Sequence, residues 1–329
     1  MKLVKTITIK LVLLTFICVV LASCGKGHEA RVLKLAHGLD AKHPVHLSMV
    51  FFAEQLAKYS QGEMTVQIYP SGQLGSEREL IELIQIGSID FTKVSASSLE
   101  PFIPKMKIFS VPYLFRDGEH LWRVLNGPIG KDLLNSGTPY RIQGLGYYDA
   151  GSRSFYTTKD PVNSPSDLKG MKIRVMNSPS AVAMVKSMGG SPTPISWGEL
   201  YTSLQQGVVD GAENNLPSFY LSKHYEVAKY LILDEHTSIP DVVITGTKSW
   251  GKLTVQQRGW VAQAMADSVA YERKLWRKVS LESLAAVREA GVEVVVADKK
   301  LFVDSVKPIH DALANSEHGE LFKSIQEVR

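Results

Sequence analysis

The sequence predicts an α/β protein of two lobes that are joined by a long helix. Strand and helix patterns alternate as β-α-β-α-β over residues 32–91, and the same alternation returns after residue 170. This order is typical of a mainly parallel sheet with helices on both faces. Residues 255–289 keep helical periodicity over an unusual length, and helices this long tend to bridge units.

The first unit contains three strands and two helices whose ends carry recognisable signals. A proline can occupy the first turn of a helix, glycine commonly ends one, and a Ser-x-x-Glu capping box begins one. In order, the pattern predicts a strand at 32–36, a helix from Pro44 to Gly62, a strand at 64–69, a helix from Ser76 and Glu79 to Gly87, and a strand from residue 89.

The second unit resembles the first in order and in sequence. We expect a strand at 171–176, a helix at 179–188, a short strand, and a second capping box at Ser196 and Glu199. The pattern E-L-x-x-x-[IL]-Q-x-G-x-[IV]-D occurs at 79–90 and again at 199–210. Related α/β units in two lobes would explain the match, and two independent amphipathic helices that end at glycine are the alternative. After the long helix, the sequence predicts a strand at 292–296 and one or two terminal helices.

The first 23 residues read as a secretion signal. Three lysines precede the apolar stretch 11–21, which is too short to span a bilayer, and Leu21-Ala22-Ser23-Cys24 follows. The end of this segment resembles a bacterial lipobox, so we predict cleavage before Cys24, lipidation of its thiol, and a tether at 24–30. The alternative is an ordinary signal peptide. Cys18 would be discarded with the leader, which leaves no pair for an intramolecular disulfide.

Composition excludes several classes of protein. The formal charge of +4 falls to 34 basic against 33 acidic residues once the leader is removed, and no basic stripe indicates nucleic acid. Gly144-x-Gly146 lacks the third glycine of a dinucleotide fingerprint, and P-loop and G-x-S-x-G motifs are missing from the sequence. His43 and His46 have no cysteine or carboxylate at zinc-motif spacing. We therefore expect neither an enzyme nor a metal or other cofactor.

Two arginines are the first candidates for ligand binding. Ligands of open α/β sheets bind beyond the carboxyl ends of the strands. Arg153 follows a predicted strand and turn, and Arg174 lies between Ile173 and Val175 within one. A guanidinium in a covered strand must be paired or reach a cleft, where its fork suits a carboxylate. A structural ion pair or an edge position in water is the alternative for either residue.

Polar and aromatic residues near the second repeat are further candidates. Asn214 and Asn215 follow it directly and can bind hydroxyl groups, although paired asparagines are equally typical of turns. Trp197 begins a predicted helix and could lie against a sugar ring, but a tryptophan there is more often part of the core.

Several motifs together resemble the solute-binding proteins of tripartite ATP-independent periplasmic (TRAP) transporters, of the dicarboxylate-receptor type. The match extends over residues 32–320. It is carried by Ile68-Tyr69-Pro70, Gln73 to Arg78, Val111 to Phe115, Asp167 to Val175, Pro192 to Pro194, Leu204 to Asn214 and Tyr225 to Tyr230. The resemblance implies the two-lobed periplasmic binding protein fold, with a bridging helix and a cleft that closes around an organic anion.

The resemblance also implies roles for individual residues. Arg174 would form the salt bridge with the ligand carboxylate, Arg153 matches a second arginine, and Asn214 matches the asparagine of an E-N motif. Ser95 replaces an acidic residue of the sialic-acid receptors, which disfavours sialic acid. The stretches 37–44 and 211–215 resemble relatives that bind uronic or other sugar acids. The remaining positions that we expect to bind ligand are Ser95 itself, Glu77, Trp197, Asn177, Met176, Asn215, His37, Lys42 and His236.

The predicted protein is thus a periplasmic, lipid-anchored monomer that delivers a sugar acid to the membrane subunits of a transporter. Lobe I is expected to comprise 31–150 and about 240–279, and lobe II 151–239 and about 280–329. The alternatives are a receptor for a C4-dicarboxylate or 2-keto acid, a receptor of the ATP-driven class, a periplasmic enzyme acting on sugar acids, and a sensory lipoprotein.

Overall fold

The computed structural model describes residues 30–329. The predicted leader and Cys24 lie outside the described residues, as does the predicted tether up to residue 29. The strands are β1 Arg31–Ala36, β2 Met64–Tyr69, β3 Phe91–Ser95, β4 Ile142–Tyr148, β5 Arg153–Thr157, β6 Lys172–Val175, β7 Ser191–Pro194, β8 Gly211–Asn214, β9 Tyr230–Thr237, β10 Asp241–Gly246 and β11 Glu293–Val295.

The helices of the described chain are α1 Pro44–Tyr59, α2 Glu77–Ile86, α3 Ala96–Leu99, α4 Gly118–Asn126, α5 Pro128–Asn135, α6 Pro179–Ser187, α7 Leu200–Gln205, α8 Leu216–Leu221, α9 Thr247–Gly251, α10 Val255–Glu289, α11 Lys299–Ser305, α12 Lys307–Ala314 and α13 Gly319–Glu327. Within residues 30–329, none of them combines the length and the apolar character that a bilayer span requires.

Two sheets form the centres of two lobes. The first has the strand order β2-β1-β3-β10-β4 and the second β11-β9-β5-β8-β6-β7. The expected parallel sheets are mixed instead. β10 returns from the second sheet and pairs antiparallel with β3 and β4, and β5 likewise pairs antiparallel with β8 and β9. A strand that comes from the other lobe enters its sheet from the opposite end. It therefore runs antiparallel to its neighbours, whereas the β-α-β order predicts parallel strands.

Within residues 30–329 the chain crosses between the lobes four times. Residues 149–152 lead from β4 to β5, residues 238–240 lead from β9 to β10, α10 makes the third crossing, and α12 and α13 return to the first lobe. The long helix was predicted with the bounds that the structure has. It begins at Thr254, whose side chain and Gln257 form a capping box. Val261 and Ala264 pack in the core beside the first sheet, and Val287 packs beside the second.

The repeated sequence pattern forms the same local structure in each lobe. Gly87 and Gly207 follow α2 and α7 with φ of 77° and 69°, a left-handed conformation that glycine adopts without strain. Asp90 then accepts a hydrogen bond from the backbone N–H of Lys34 (2.9 Å), and Asp210 accepts one from Lys172 (2.8 Å). Each aspartate binds the backbone of the neighbouring strand in its own sheet, so the two patterns have the same structural role.

One of the two predicted capping boxes is not formed in the structure. The capping box at Ser76 and Glu79 forms, but the one at Ser196 and Glu199 does not. Residues 197–199 wind as a 3-10 turn in which the Glu199 N–H donates to the Ser196 carbonyl (3.2 Å), and α7 begins one residue later. The side chain of Ser196 therefore remains free to face the space between the lobes.

The end of the chain returns to the first lobe, although residues 280–329 were expected in the second. Phe322 and Ile325 of α13 join the core cluster that contains Phe109. The His120 Nε2–H also donates to the Ile325 carbonyl (3.0 Å), and Arg116 donates to the Gln326 carbonyl (2.9 Å). The amphipathic α13 buries its apolar face where the first lobe offers an apolar surface, which sequence order alone could not reveal.

Candidate ligand-binding site

A cavity of about 690 Å³ lies between the two lobes. This volume is within the range of small-molecule sites. The walls contain residues at or just beyond the carboxyl ends of β3, β6 and β8, where ligands of α/β sheets bind. Nine of the predicted residues line it, namely Glu77, Ser95, Arg153, Arg174, Met176, Asn177, Trp197, Asn214 and Asn215.

Three predicted ligand-binding residues do not line the cavity. Lys42 is exposed in the turn before α1. His37 is buried, with its Nδ1 accepting from the Leu39 N–H (3.1 Å) and its Nε2 bonded to His46 (3.0 Å). His236 is buried behind Arg153. The side chains of these three residues therefore do not face the cavity in this structure.

Arg174 is a buried cation that has no anionic partner in the part of the chain that the structure describes. It lies on β6 with 2% of its surface exposed, and its Nε–H donates to the Ile195 carbonyl (2.8 Å). Nη1 has no hydrogen-bond partner among residues 30–329. Burial lowers the pKa of Arg174, because desolvation disfavours the charged form. The expected alternative, a structural ion pair, is therefore not the arrangement at this arginine.

Arg153 is paired within the protein, although it also lines the cavity. Its Nε and Nη2 donate to the carboxylate of Glu213 (2.5 and 2.9 Å), and Nη2 also donates to the Glu213 carbonyl (2.8 Å). Nη1 donates to Oδ1 of Asn214 (2.7 Å). Since a guanidinium has five N–H groups, these four bonds leave one N–H for a ligand. The structural ion pair that was the alternative for both arginines is realised at Arg153.

The two asparagines present donors to the cavity. Oδ1 of Asn214 accepts from Arg153 and from the backbone N–H of Asn215 (2.9 Å). Oδ1 of Asn215 caps α8 by accepting from the Ser218 N–H (2.9 Å). Because both carbonyl oxygens are occupied, the two amide NH₂ groups are left to bind acceptor atoms of a ligand.

The first lobe supplies acceptors on the opposite wall. Lys93, buried on β3, contacts Asp241 (3.0 Å) and Glu77 (3.4 Å). Glu77 also accepts from the Ser95 N–H (3.1 Å) and the Ser98 hydroxyl (2.5 Å). Burial raises the pKa of Asp241, and Lys93 opposes that effect. The wall therefore holds fixed carboxylates that can accept hydrogen bonds from hydroxyl groups.

Trp197 gives the cavity an apolar face. The centre of its ring system lies 5.9 Å from the guanidinium carbon of Arg174 and 5.0 Å from the His224 ring. An indole ring beside a cation and a row of polar groups suits a ligand that is charged at one end and has a ring or carbon chain elsewhere.

Comparison with known proteins identifies the family. The model of the family described as "Bacterial extracellular solute-binding protein, family 7" matches residues 35–317. The chain belongs to this family, and the resemblance to TRAP receptors is confirmed.

Individual relatives of this solute-binding protein agree with that assignment. YiiZ of Salmonella typhimurium is 41% identical, over 88% of this chain and 89% of its own. A Bradyrhizobium TRAP periplasmic solute-binding protein in complex with D-galacturonate has a TM-score of 0.88 and 42% identity, over 90% of this chain and all of its own. A Pseudomonas putida F1 protein with bound D-glucuronate has a TM-score of 0.88 and 35% identity, over 91% and 97%. The two-lobed fold is therefore that of a receptor.

A chain of buried charges holds Arg153 of this receptor in place. Asp234 contacts Nδ1 of His236 (2.7 Å), and Nε2 of His236 faces Glu213 (3.4 Å). Burial alone would lower the pKa of His236, but Asp234 and Glu213 raise it to about 9. Burial would raise the pKa of Glu213, but Arg153 and His236 lower it to about 2. Arg153, Glu213 and His236 are thus all charged at neutral pH, and Glu213 lies between the two cations.

Sequence reasoning missed several residues of the site. Lys93, Ser98, Ser218 and Asp241 line the cavity without having been expected there. Lys93 could have been found by the same pattern that identified Arg174, because it is also a basic residue within a strand. All residues of that strand, β3, are buried. Asp241 had no such signal, because its pairing with Lys93 depends on β10 returning beside β3.

The buried His236 predicts a pH dependence of stability. A raised pKa stabilises the fold fully below the ordinary value near 6.5, and this contribution is lost as pH rises toward 9. The free energy of unfolding should therefore fall by up to about 1.4 kcal/mol per pH unit between these values. In His236→Gln, urea denaturation at a series of pH values should show a flatter dependence.

His224→Gln is the matched control, because His224 is also buried in the second lobe. Its pKa is lowered to about 3 by burial, so its loss should change stability without changing the slope above pH 6.5. An unaltered slope in His236→Gln would contradict the assignment of the charged state.

Proposed function

We propose that this receptor captures a hexuronate, such as D-galacturonate or D-glucuronate, for a TRAP transporter. The observation that carries the proposal is the buried Arg174, whose Nη1 has no partner in the described chain. Relatives of known structure that are 42% and 35% identical hold D-galacturonate and D-glucuronate. The ligand carboxylate would supply the anion that Arg174 lacks.

A carboxylate suits Arg174 better than a neutral group does. Two parallel N–H groups of a guanidinium match the two carboxylate oxygens, and such charge-assisted bonds are about twice as strong as neutral ones. The single remaining N–H of Arg153 and the NH₂ groups of Asn214 and Asn215 would bind further oxygens. Closure of the lobes would then exclude water and strengthen the ion pair.

The distribution of charge favours a monocarboxylate. The other lysine and arginines that line the cavity have carboxylate partners, since Arg78 pairs with Glu82, Lys93 with Asp241, and Arg153 with Glu213. Among the described residues of the lining, one free cation therefore remains, and it can neutralise one carboxylate. The rest of the ligand would meet Glu77 and Asp241, which accept from hydroxyl groups and repel a second carboxylate. This disfavours the C4-dicarboxylates.

The binding specificity can be tested with a set of related ligands. D-Galacturonate and D-glucuronate should raise the melting temperature. At a ligand concentration of 100 times the dissociation constant, the free energy of unfolding should increase by about 2.7 kcal/mol. D-Galactose and D-glucose, which lack the carboxylate, and succinate, which has two, should give little or no shift. Stabilisation by succinate but not by either uronate would reject the proposed ligand class.

Removing the guanidinium should weaken binding strongly. Truncating one partner of a buried charge pair costs about 2–5 kcal/mol, so calorimetry of Arg174→Ala should show roughly 30-fold to several-thousand-fold weaker uronate binding. Arg174→Lys should also bind poorly, because an ammonium cannot replace the fork. Arg277→Ala, an exposed arginine of α10, should bind like the wild type. Wild-type affinity in Arg174→Ala would refute the role of this residue.

We further propose that the mature receptor is a monomer, anchored to a membrane of the cell envelope by lipid on Cys24. The lipobox-like order Leu21-Ala22-Ser23-Cys24 after a short apolar stretch supports this proposal. A tether before the first strand at Arg31 would then let the lobes reach the membrane subunits of the transporter.

The anchor can be tested through the two cysteines of the sequence. Cys24→Ala should abolish metabolic labelling with palmitate and move the protein from the membrane fraction to the soluble fraction. Cys18→Ala is the matched control, because Cys18 lies in the leader and its loss should leave labelling unchanged. Labelling that persists in Cys24→Ala would exclude lipidation at this site.

A further inference from the structure

Glu100 of the first lobe is bound by donors of the second lobe. It follows α3, precedes the cavity residues Pro101 and Phe102, and has 8% of its surface exposed. Its Oε2 accepts from the Ser178 hydroxyl (2.5 Å) and the Ser180 N–H (3.3 Å), and its Oε1 accepts from the Ser180 hydroxyl (2.6 Å). Within residues 30–329, every hydrogen bond to this carboxylate comes from the other lobe.

The three donors belong to the first turn of α6. Ser178 caps this nine-residue helix by accepting from the Ala181 N–H (3.1 Å), and Pro179 has no N–H to donate. The Ser180 N–H is thus left without a partner inside the helix, and Glu100 supplies one. A carboxylate at this position also interacts favourably with the helix dipole.

The same segment continues directly from the arginine strand. Arg174 and Val175 end β6, Met176 and Asn177 line the cavity, and Ser178 begins the cap of α6. Met176 also packs in the apolar cluster of the first lobe, with 8% of its surface exposed. The connection from β6 to α6 is therefore held against the first lobe by an apolar contact and by a buried carboxylate.

We propose that Glu100 is a positioning residue that couples closure of the lobes to the Arg174 site. When the lobes are together, three donors from α6 replace the water around the Glu100 carboxylate. When they separate, both the carboxylate and the first turn of α6 return to water. Because only two residues separate Arg174 from Asn177, fixing the start of α6 also fixes the strand end from which the guanidinium reaches the ligand.

The variant Glu100→Gln tests this coupling with D-galacturonate. Glutamine keeps the size of the side chain but removes the charge and places an NH₂ group among donors. Hydrogen bonds to charged groups contribute about 1.5–3 kcal/mol, so calorimetry should show roughly ten- to hundredfold weaker binding. The thermal stability of the ligand-free protein should remain unchanged, because Glu100 is hydrated in the open receptor. Glu54→Gln, on the exposed side of α1, is the matched control.

The opposite pattern would overturn the proposal. Equal destabilisation of the free and the liganded protein, with unchanged affinity, would mean that Glu100 forms a permanent contact. Ser180→Ala removes one donor to the carboxylate and retains the Ser178 cap, so it should weaken binding by roughly tenfold even if Glu100→Gln folds poorly.

Small-angle scattering tests the role of Glu100 independently of which ligand the receptor binds. In the free wild-type protein, a minor closed population should lower the mean radius of gyration slightly, and Glu100→Gln should remove that population. This comparison needs no ligand. If the wild type binds no uronate, the ligand class fails while the scattering still decides the coupling.

Discussion

A buried guanidinium without an anion is the constraint on which the site depends. Arg174 projects from a short strand into the space between the lobes, and residues 30–329 give it a backbone carbonyl but no carboxylate. Leaving a buried charge without its partner costs about 3–5 kcal/mol. The fold therefore contains an uncompensated positive charge that an external carboxylate would neutralise. This charge lies where both lobes can contact the same ligand.

The mixed sheets explain how residues far apart in sequence build this site. β10 returns from the second lobe and lies beside β3, which brings Asp241 to Lys93. β8 pairs with β5 and sets Glu213 and Asn214 against Arg153. The crossing strand β10 thus contributes the neutralising partner of Lys93, and the crossing strand β5 carries Arg153, which Glu213 of β8 neutralises. The strands that cross the hinge also determine which cations of the cavity are available to a ligand.

The sequence predicted the features that depend on residues close together in the chain. It did not predict the contacts that form when distant segments come together in the fold. The bounds of α10, the repeated glycine and aspartate turns, and Arg174 as a strand cation all follow from residues close in sequence. The partner of Lys93, the packing of α13 on the first lobe, and the position of His236 behind Arg153 depend on contacts between distant elements. The second capping box failed for a local reason, since its turn tightened to a 3-10 form.

The two arginines show why one cavity needs both a paired and an unpaired cation. Arg153 is fixed by Glu213, which His236 and Asp234 fix in turn, so its remaining N–H points in a defined direction while Glu213 balances its charge. Such a group orients a ligand but adds little long-range attraction. Arg174 has the opposite character, because its uncompensated charge attracts an anion while its desolvation disfavours a closed, empty cleft. Water in an open cleft can hydrate the guanidinium, and a carboxylate can replace that water when the lobes close. The same missing partner would therefore supply affinity for the ligand and also disfavour closure without it.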